Sequence, residues 1–547
     1  MTDGASGTGS GSMQAFAALL DALVYTRSRN AKLRLLADYL RDTPDPDRGW
    51  ALAALTDGLD FPAVKSSTIR NLLSERVDPV FWTLSRDFVG DSAETASLLW
   101  PEPLDPPSPP TVSQAVDTLS QMTRATVMSQ LPRLLDRLDA DGRYALLKMA
   151  TGAMRIGISA RLAKTAFAQA FGVSVEDVEE HWHGQSPPYP ALFAWAARGE
   201  APPSAEGIPL FRPFMLAHPL EDTVVDLADY AAEWKWDGIR VQLVRAGVET
   251  RVYSRSGDDI SGTFPEVAAS LPFEAVLDGE LLVRGSHQGG AQNARTQGGA
   301  ASFNALQQRL GRKTVSKKML AEYPAFVRLY DALIVAGEDL RERPWHERRA
   351  RLEGLMPALD PARFDLSQTI AAADLEELAA VRERARDDAI EGVMLKRRDS
   401  PYVAGRRTGL WYKWKRDPLL IDCVLMYAQR GSGKRSSFYS DYTFGCWDGD
   451  PDQGAELLPV GKAYFGFTDE ELKWLDRYVR THTVNRFGPV RETDRSLVFE
   501  VAFDSVHSSK RHKSGVAMRF PRISRIRADK PAHEADSIAT LKGLIRD

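Results

Sequence analysis

The residues with the clearest chemical potential form one segment, Glu233-Trp234-Lys235-Trp236-Asp237-Gly238-Ile239-Arg240. In this segment a lysine near the end of a predicted strand is flanked by a carboxylate, a glycine turn and an arginine. A lysine amine in such surroundings can act as a nucleophile towards an anionic substrate. Because Lys-x-Asp-Gly also occurs by chance where strands meet turns, Lys235 needs support from other segments before it indicates a function.

That support comes from short motifs that follow in order along the chain. They are Ser254-Arg255-Ser256-Gly257, Leu277-Asp278-Gly279-Glu280, Tyr330-Asp331, Glu391-Gly392-Val393-Met394-Leu395-Lys396, Trp411-Tyr412-Lys413-Trp414-Lys415 and Arg519-Phe520-Pro521-Arg522. The ordered set resembles the covalent nucleotidyltransferases, which include DNA ligases, RNA ligases and mRNA capping enzymes. The resemblance is closest to the ATP-dependent DNA ligases and extends from about residue 13 to the C-terminus, with residues 519–530 a particularly specific match.

The chain that carries these motifs divides into three stretches with different sequence patterns. Residues 13–205 show helical periodicity, residues 206–416 alternate strands with helices, and residues 417–547 combine short strands with Gly-containing turns. The resemblance implies an all-α DNA-binding domain, an α+β adenylation domain and a C-terminal β-barrel of the OB-fold type for these stretches. The Gly/Ser-rich residues 1–12 indicate a flexible extension or a tag remnant.

The amino-acid composition limits which binding partners and which nucleotide cofactor are expected. The chain has 70 Lys and Arg against 74 Asp and Glu, so DNA binding must depend on local basic patches. Its two cysteines, Cys423 and Cys446, cannot form the four-cysteine zinc module of NAD-dependent ligases, and ATP is therefore expected. No apolar run approaches the ~20 residues of a membrane helix. We expect a monomeric cytoplasmic protein, nucleoid-associated if bacterial, that binds nicked duplex DNA and no membrane.

The resemblance also implies a reaction in three steps. Lys235 attacks the α-phosphate of ATP, pyrophosphate leaves, and a lysyl-AMP intermediate forms. The adenylate then passes to a 5′-phosphate at a nick, and the adjacent 3′-hydroxyl attacks that phosphate and releases AMP. Mg²⁺ is the expected metal, and Mn²⁺ could substitute for it. Lys413, Lys415 and the bound metal are expected to favour the neutral, nucleophilic form of Lys235.

The remaining roles are carried over from the family at the matching positions. Glu233 is implied to contact the adenine edge, Tyr330 to stack on the base, and Met394 to cover the opposite face. The other nucleotide and metal contacts are Arg240, Arg255 and Arg407 for ribose and phosphates, Lys396, Lys413 and Lys415 for phosphate charge, and Glu280 and Glu391 for Mg²⁺.

Two groups outside the central stretch complete the predicted set. The terminal motif implies that Arg519 and Arg522 contact the pyrophosphate side of ATP. In the helical stretch, Gly152, Arg155 and Gly157 surround a basic helix end, where backbone N–H groups can meet DNA phosphates.

Other functions fit the sequence less well. A helicase or kinase would need a P-loop, but Arg430–Arg435 lacks both the first glycine, at Ala428, and the Ser or Thr, at Arg435. RNA ligases and capping enzymes share the lysine motif, although the roughly 190-residue helical stretch counts against both. A catalytically silent DNA-binding scaffold would need damage at Lys235, Glu280 or Glu391, and none is visible.

Overall fold

The computed structural model describes residues 9, 11–26, 28–152, 154, 156–203, 207–221, 223, 225–285, 299–301, 303–310, 312, 315–384, 390–431, 439–464 and 466–545. Contacts divide the chain into two compact units. One comprises Met1–Val173, Ser186–Gly199 and Pro418–Asp547, and the other Ser174–Gln185 and Glu200–Asp417. None of the helices in the described residues is both long enough and apolar enough to cross a membrane.

The N-terminal stretch is helical, as predicted. Its described helices are α1 (Met13–Tyr25), α2 (Arg29–Asp42), α3 (Asp47–Leu55), α4 (Ser66–Ser74), α5 (Pro79–Val89), α6 (Ser92–Leu99), α7 (Val112–Gln121), α8 (Val127–Leu135), α9 (Ala140–Thr151), α10 (Ala160–Phe171), α11 (Val175–Trp182) and α12 (Pro190–Arg198). Apolar residues spaced three and four apart form the buried side of α1, where Phe16, Leu20 and Leu23 are inaccessible to solvent. Helix α11 lies within the range grouped with the central stretch.

The central stretch contains thirteen strands and five helices among its described residues. The strands are β1 (Met215–Leu216), β2 (His218–Pro219), β3 (Tyr230–Trp236), β4 (Ile239–Ala246), β5 (Glu249–Ser254), β6 (Ala275–Val283), β7 (Ala325–Val335), β8 (Glu338–Asp339), β9 (Phe364–Leu366), β10 (Thr369–Ile370), β11 (Ile390–Arg397), β12 (Gly405–Arg406) and β13 (Trp411–Lys415). The helices are α13 (Pro265–Ala268), α14 (Phe303–Gln307), α15 (Lys317–Glu322), α16 (Trp345–Leu355) and α17 (Leu375–Arg384).

One sheet has the order β5-β4-β6-β7-β8, and β9 pairs with β7. Strands β4 and β5 form a hairpin, since Ala246 pairs with Glu249 across the turn. Successive residues of a strand point to opposite faces. Leu243 and Leu277 therefore pack in the core on one face, while Arg240 and Glu280 share the other, polar face.

A second sheet has the order β10-β3-β11-β13-β2. On one face Ala232, Leu395 and Tyr412 pack against helix α17 through Leu378. The opposite face carries Lys235 and other charged side chains. Each sheet thus buries one apolar face, and its opposite face carries charged side chains among buried apolar ones, so functional residues can be placed there.

The C-terminal stretch begins with a long hairpin. Its elements are β14 (Leu419–Arg430), β15 (Tyr439–Trp447), β16 (Leu457–Ala463), α18 (Asp469–Thr481), β17 (Thr483–Phe487), β18 (Val490–Thr493), β19 (Val498–Phe503), β20 (Ser505–Ser508), β21 (Val516–Arg519), β22 (Arg522–Arg527) and α19 (Ile538–Gly543). The main sheet follows the order β16-β15-β14-β18-β17, and β19 joins β14 to β22. The pairings found among the described strands do not close a barrel, so closure of an OB-fold stays a prediction.

The two cysteines meet in the core of this stretch. Cys423 on β14 and Cys446 on β15 are completely buried, and their Sγ atoms are 3.5 Å apart. Burial raises the pKa of the Cys423 thiol well above its ordinary value, and the neighbouring Cys446 adds to the effect.

Candidate active site

Lys235 lies at the centre of a charged group on the second sheet. Its Nζ is 2.5 Å from Oε2 of Glu391, and the same oxygen is 3.4 Å from Nζ of Lys415. Burial by itself would raise the pKa of Glu391, but the ammonium groups of Lys235 and Lys415 lower it to about 2. Glu391 is therefore ionised at any ordinary pH, and Lys235 is held in an ion pair.

A β-bulge brings Glu391 to this position. Ile390 pairs with Trp236 and Gly392 pairs with Lys235, which leaves Glu391 as an extra residue on β11. Bulges redirect side chains, and here the redirected carboxylate reaches the face of Lys235. The strand also needs glycine next to the bulge, because Gly392 has φ +151° and an added Cβ would lie 2.2 Å from the carbonyl oxygen of Trp414.

Two lysines of the neighbouring strand β13, Lys413 and Lys415, form a cationic row beside Lys235. On β13, Lys415 pairs with Gly392 and Lys413 pairs with Met394. Burial, followed by repulsion from Arg406, Lys415, Lys235 and Arg255, lowers the pKa of Lys413. Like charges that act on one another in this way are crowded together, which is the arrangement expected of a polyphosphate site.

Glu233 and Met394 lie two residues along their strands from Lys235 and Gly392, and Met394 lies between Glu233 and Lys413. Glu233 is 1% exposed and pairs directly with Met394 across β3 and β11. Oε2 of Glu233 is 3.1 Å from Nζ of Lys396, which is equally buried. This Nζ also lies 4.4 Å from the ring centroid of Tyr330 and 4.8 Å from that of Trp411.

The surroundings of Lys396 differ from those of Lys413 and Lys415. Burial lowers the pKa of Lys396, whereas Glu233 and Asp331 act in the opposite direction. The sequence predicted that this lysine neutralises phosphate charge. The structure instead pairs it with Glu233 among aromatic rings, and the phosphate role remains untested.

Tyr330 projects from the first sheet at a second bulge. Asp278 pairs with Asp331 and Gly279 pairs with Leu329, so Tyr330 has no direct partner on β6. Its ring is near both Lys396 and Arg240, whose guanidinium carbon lies 5.8 Å from the ring centroid. The aromatic ring predicted to stack on the base is therefore close to Glu233 through the shared neighbour Lys396.

Arg240 is engaged by protein groups. Its Nη2 donates to Oδ2 of Asp278 at 2.9 Å and to the hydroxyl of Tyr402 at 3.2 Å. Its Nη1 donates to the carbonyl oxygen of Met215 at 2.6 Å. These bonds fix the guanidinium beside Tyr330, and the predicted contact of Arg240 with ribose or phosphate stays a prediction.

Arg255 and Arg407 lie at the edge of the central stretch. Arg255 is exposed in the turn after β5, close enough to Lys413 to affect its titration. Arg407 lies 3.8 Å from Glu176 of helix α11, measured from Nη2 to Oε1. Its neighbour Arg406, which the sequence analysis missed, is the arginine of this pair whose charge acts on Lys413.

Glu280 faces the same charged group from the first sheet. Burial raises the pKa of Glu280 to about 7, Lys235 opposes this effect, and Glu391 adds to it. Two carboxylates near one lysine form a set of hard oxygen donors of the kind that Mg²⁺ prefers.

The raised pKa of Glu280 gives a test that needs no substrate. A carboxyl group with a pKa of about 7 when folded and 4.5 as its ordinary value contributes stability that is fully present below 4.5 and lost as pH rises through 7. Glu280→Gln does not titrate. We therefore expect the variant to gain up to about 3 kcal/mol of unfolding free energy over wild type between pH 5 and pH 8.

Chemical denaturation of both proteins in EDTA at the two pH values measures this difference. Contributions from titrating groups that do not act on Glu280 cancel in the comparison of variant with wild type. If the unfolding free energies of the two proteins depended equally on pH, the raised pKa assigned to Glu280 would be wrong.

The predicted DNA contacts fall in the helical stretch. Gly152 has φ +67° and ends helix α9, and an added Cβ there would meet nothing within 4 Å. The carbonyl oxygen of Gly157 accepts a hydrogen bond of 2.9 Å from Nζ of the buried Lys32 on α2. Arg155 lies outside the described residues.

The two arginines of the terminal motif belong to the other unit. Arg519 ends β21 and Arg522 begins β22, with the exposed Phe520 at φ +51° between them. Nη1 of Arg522 is 3.0 Å from Oδ1 of Asp504. The predicted contact of Arg519 and Arg522 with ATP stays a prediction.

Comparisons with known proteins show the family to which the chain belongs. The family model described as "ATP dependent DNA ligase domain" matches residues 214–415, and the one described as "ATP dependent DNA ligase C terminal region" matches residues 435–530. A "Probable DNA ligase" of Koribacter versatilis is 32% identical, over 98% of this chain and 96% of the relative. The chain belongs to the ATP-dependent DNA ligases.

Other relatives agree with this assignment. "DNA ligase 1" of Korarchaeum cryptofilum is 30% identical to this ligase, over 97% of the chain and 98% of the relative. The solved structure "Pmar-Lig_PreS3" covers 94% of the chain with a TM-score of 0.55 and 15% identity, which shows a shared fold. Membership confirms that the protein is an ATP-using DNA ligase, and this family seals nicks through an enzyme adenylate.

Proposed function

We propose that Lys235 carries the AMP group of this ligase and that the polar faces of the two central sheets hold the nucleotide. The supporting observation is the position of Lys235. Its amine lies in an ion pair with Glu391, on a sheet face that also carries Glu233 two residues away and, across β11, the cationic pair Lys413 and Lys415. Glu233 and Tyr330 both approach Lys396, which adds an acidic and an aromatic group for the base to the cations available for the phosphates.

The ion pair must open before the chemistry can begin. An ammonium has no lone pair, and Lys235 as found donates to Glu391. Once freed and deprotonated, Nζ attacks the α-phosphorus, a P–N bond forms, and the P–O bond to pyrophosphate breaks. Lys413 and Lys415 stabilise the charge that develops on the phosphate oxygens.

The part of the site around Glu233 and Tyr330 recognises the adenine base in this proposal. The Glu233 carboxylate accepts a hydrogen bond from the exocyclic amine of adenine, and Tyr330 and Met394 hold the two faces of the ring. The support for this step is that Met394 pairs with Glu233 and that Glu233 and Tyr330 both approach Lys396. Arg255 and Arg406 are proposed to contact phosphate oxygens, and the support is that the charges of both act on Lys413.

Glu280 and Glu391 are the proposed holders of Mg²⁺. Both are carboxylates whose charges act on one another beside Lys235. Within the described residues no cluster of three His, Cys, Asp or Glu side chains is arranged to hold a metal, so the proposal rests on these two. Bound there, Mg²⁺ supplies positive charge at the phosphates.

The proposed DNA substrate is a nicked duplex, bound by a monomer through its phosphate backbone. A sealing enzyme must accept any sequence, so contacts to phosphates suit it better than contacts to bases. Gly152, Arg155 and Gly157 are the proposed contacts of the helical stretch with the DNA backbone. Arg519 and Arg522 are proposed to approach ATP during lysine adenylation.

The test is incubation of the wild-type protein with α-labelled ATP and Mg²⁺, followed by a chase with 5′-phosphorylated nicked DNA or nicked RNA. We expect label on the protein that nicked DNA removes while sealed product appears. Label removed by nicked RNA alone would indicate an RNA ligase. Absence of label, with prior adenylation of the purified protein excluded by mass spectrometry, would contradict the proposed nucleotide site.

A further inference from the structure

Helix α16 buries one aromatic and two charged side chains on the face that it turns to the sheets. Trp345, Arg348 and Arg349 are spaced as i, i+3 and i+4, which places them on one side of the helix. Arginine is almost never fully buried unless it is paired. Arg348 satisfies this condition with Asp331, where Nε and Nη2 donate to the two carboxylate oxygens at 2.9 Å and 3.0 Å.

Arg349 is held by contacts on all three nitrogens of its guanidinium. Nη2 donates to the carbonyl oxygen of Ser367 at 2.7 Å, and Nε donates to Oε1 of Glu353 at 2.8 Å. These two bonds fix the plane of the group. The remaining nitrogen, Nη1, is 3.4 Å from Oε1 of Glu233.

Glu233 is consequently held from both sides. Arg349 approaches Oε1 and Lys396 approaches Oε2, and all three side chains are buried. Two cations on different oxygens leave a buried carboxylate little freedom to rotate and define the direction of its remaining lone pairs. A carboxylate fixed in this way is a hydrogen-bond acceptor of set orientation.

We infer that Arg349 is a positioning residue for purine selection, acting through Glu233. This inference rests on the proposed contact between Glu233 and the exocyclic amine of adenine. By holding the acceptor in place, Arg349 makes the site favour a purine with an amino group at C6 over one without it. The ring centroid of Trp345, on the same face of α16, lies 5.9 Å from Nζ of Lys396.

The experiment measures KM and kcat for lysine adenylation with ATP and with purine riboside triphosphate, which lacks the 6-amino group. The proteins are wild type, Arg349→Met, Arg349→Lys, Glu233→Met and Arg351→Met. Arg351 lies on the exposed side of α16 and serves as the matched control. The ratio of kcat/KM for the two nucleotides on one sample is independent of the fraction of active protein.

We expect wild type and Arg351→Met to prefer ATP by about tenfold or more, the effect of a hydrogen bond to a charged group. In Arg349→Met the KM for ATP should rise while kcat and the KM for the analogue change little, so that the preference falls to within about threefold of unity. Arg349→Lys should retain part of the preference, because an ammonium keeps the charge but not the planar contacts.

The alternatives give different results. If Arg349→Met or Arg349→Lys weakens both nucleotides equally, Arg349 has a structural role alone and the inference is wrong. If Glu233→Met loses the preference and both Arg349 variants keep it, the inference fails while the base contact stands. A Glu233→Met protein that keeps the preference contradicts the base contact and the inference together. Absence of adenylation in wild type contradicts the proposed site itself.

Discussion

Replacing Lys235 with arginine is expected to abolish transfer of AMP to the protein, by roughly 10⁴-fold or more, as removal of a nucleophile does in other enzymes. Arginine keeps the positive charge that pairs with Glu391 but remains protonated, so it offers no nucleophilic lone pair. The measurement is covalent labelling with α-labelled ATP, compared with wild type under identical conditions.

The control is sealing of a nick that already carries the 5′-adenylate. This last step forms the phosphodiester with no nucleophile at position 235, and we expect the Lys235→Arg protein to retain it. Labelled Lys235→Arg protein would rule out Lys235 as the nucleophile. Loss of both steps would show that the substitution disturbs the pocket as a whole.

The second large effect is expected at the bulge of β11. A methyl group at Gly392 would lie 2.2 Å from the carbonyl oxygen of Trp414 and 2.9 Å from Cα of Lys415. Both atoms belong to the backbone of β13, which cannot rotate away as a side chain can. We expect Gly392→Ala to destabilise the central stretch by about 3 kcal/mol or more, because overpacking adds to an unfavourable φ.

Adenylation should fall in parallel, since β13 carries Lys413 and Lys415 and the bulge carries Glu391. Denaturant unfolding and the labelling assay measure the two effects. Gly354→Ala is the matched control: Gly354 lies in α16, and its added Cβ would meet nothing within 4 Å. That variant should be as stable as wild type or slightly more so. Equal stability of Gly392→Ala and Gly354→Ala would disprove the steric argument.

Much of the central site could be predicted from spacing within single strands. Glu233 and Lys235 are two residues apart in a strand, so they share a face, and the structure confirms the strand from Tyr230 to Trp236. The same reasoning places Met394 and Lys396 together on β11. The resemblance to a known family then supplied the order of the motifs along the chain.

The bulges could not be predicted in this way. Strict alternation would direct Glu391 to the face opposite Met394, and the extra residue in the ladder reverses this. Tyr330 depends on a second irregularity of the same kind. Bulges are set by the pairing of two strands, and one strand's sequence does not contain that information.

Contacts between distant segments were also missed. Arg349 reaches Glu233 across 116 positions of the chain, and helical periodicity indicates that it is buried without showing its partner. The interaction of Arg407 with Glu176 likewise joins α11 to a later turn. A Trp-x-x-Arg-Arg pattern on a helix that should bury its apolar side was the available signal for the three residues of α16.

The cysteine pair of the C-terminal stretch has a practical consequence. Cys423 and Cys446 are the two thiols of the chain, and both are completely buried. A thiol-specific alkylating reagent can therefore modify them when the strands that enclose them open, and its rate of reaction reports that opening. The rate of alkylation thus measures how often this stretch unfolds locally, and the measurement does not depend on nucleotide chemistry at Lys235.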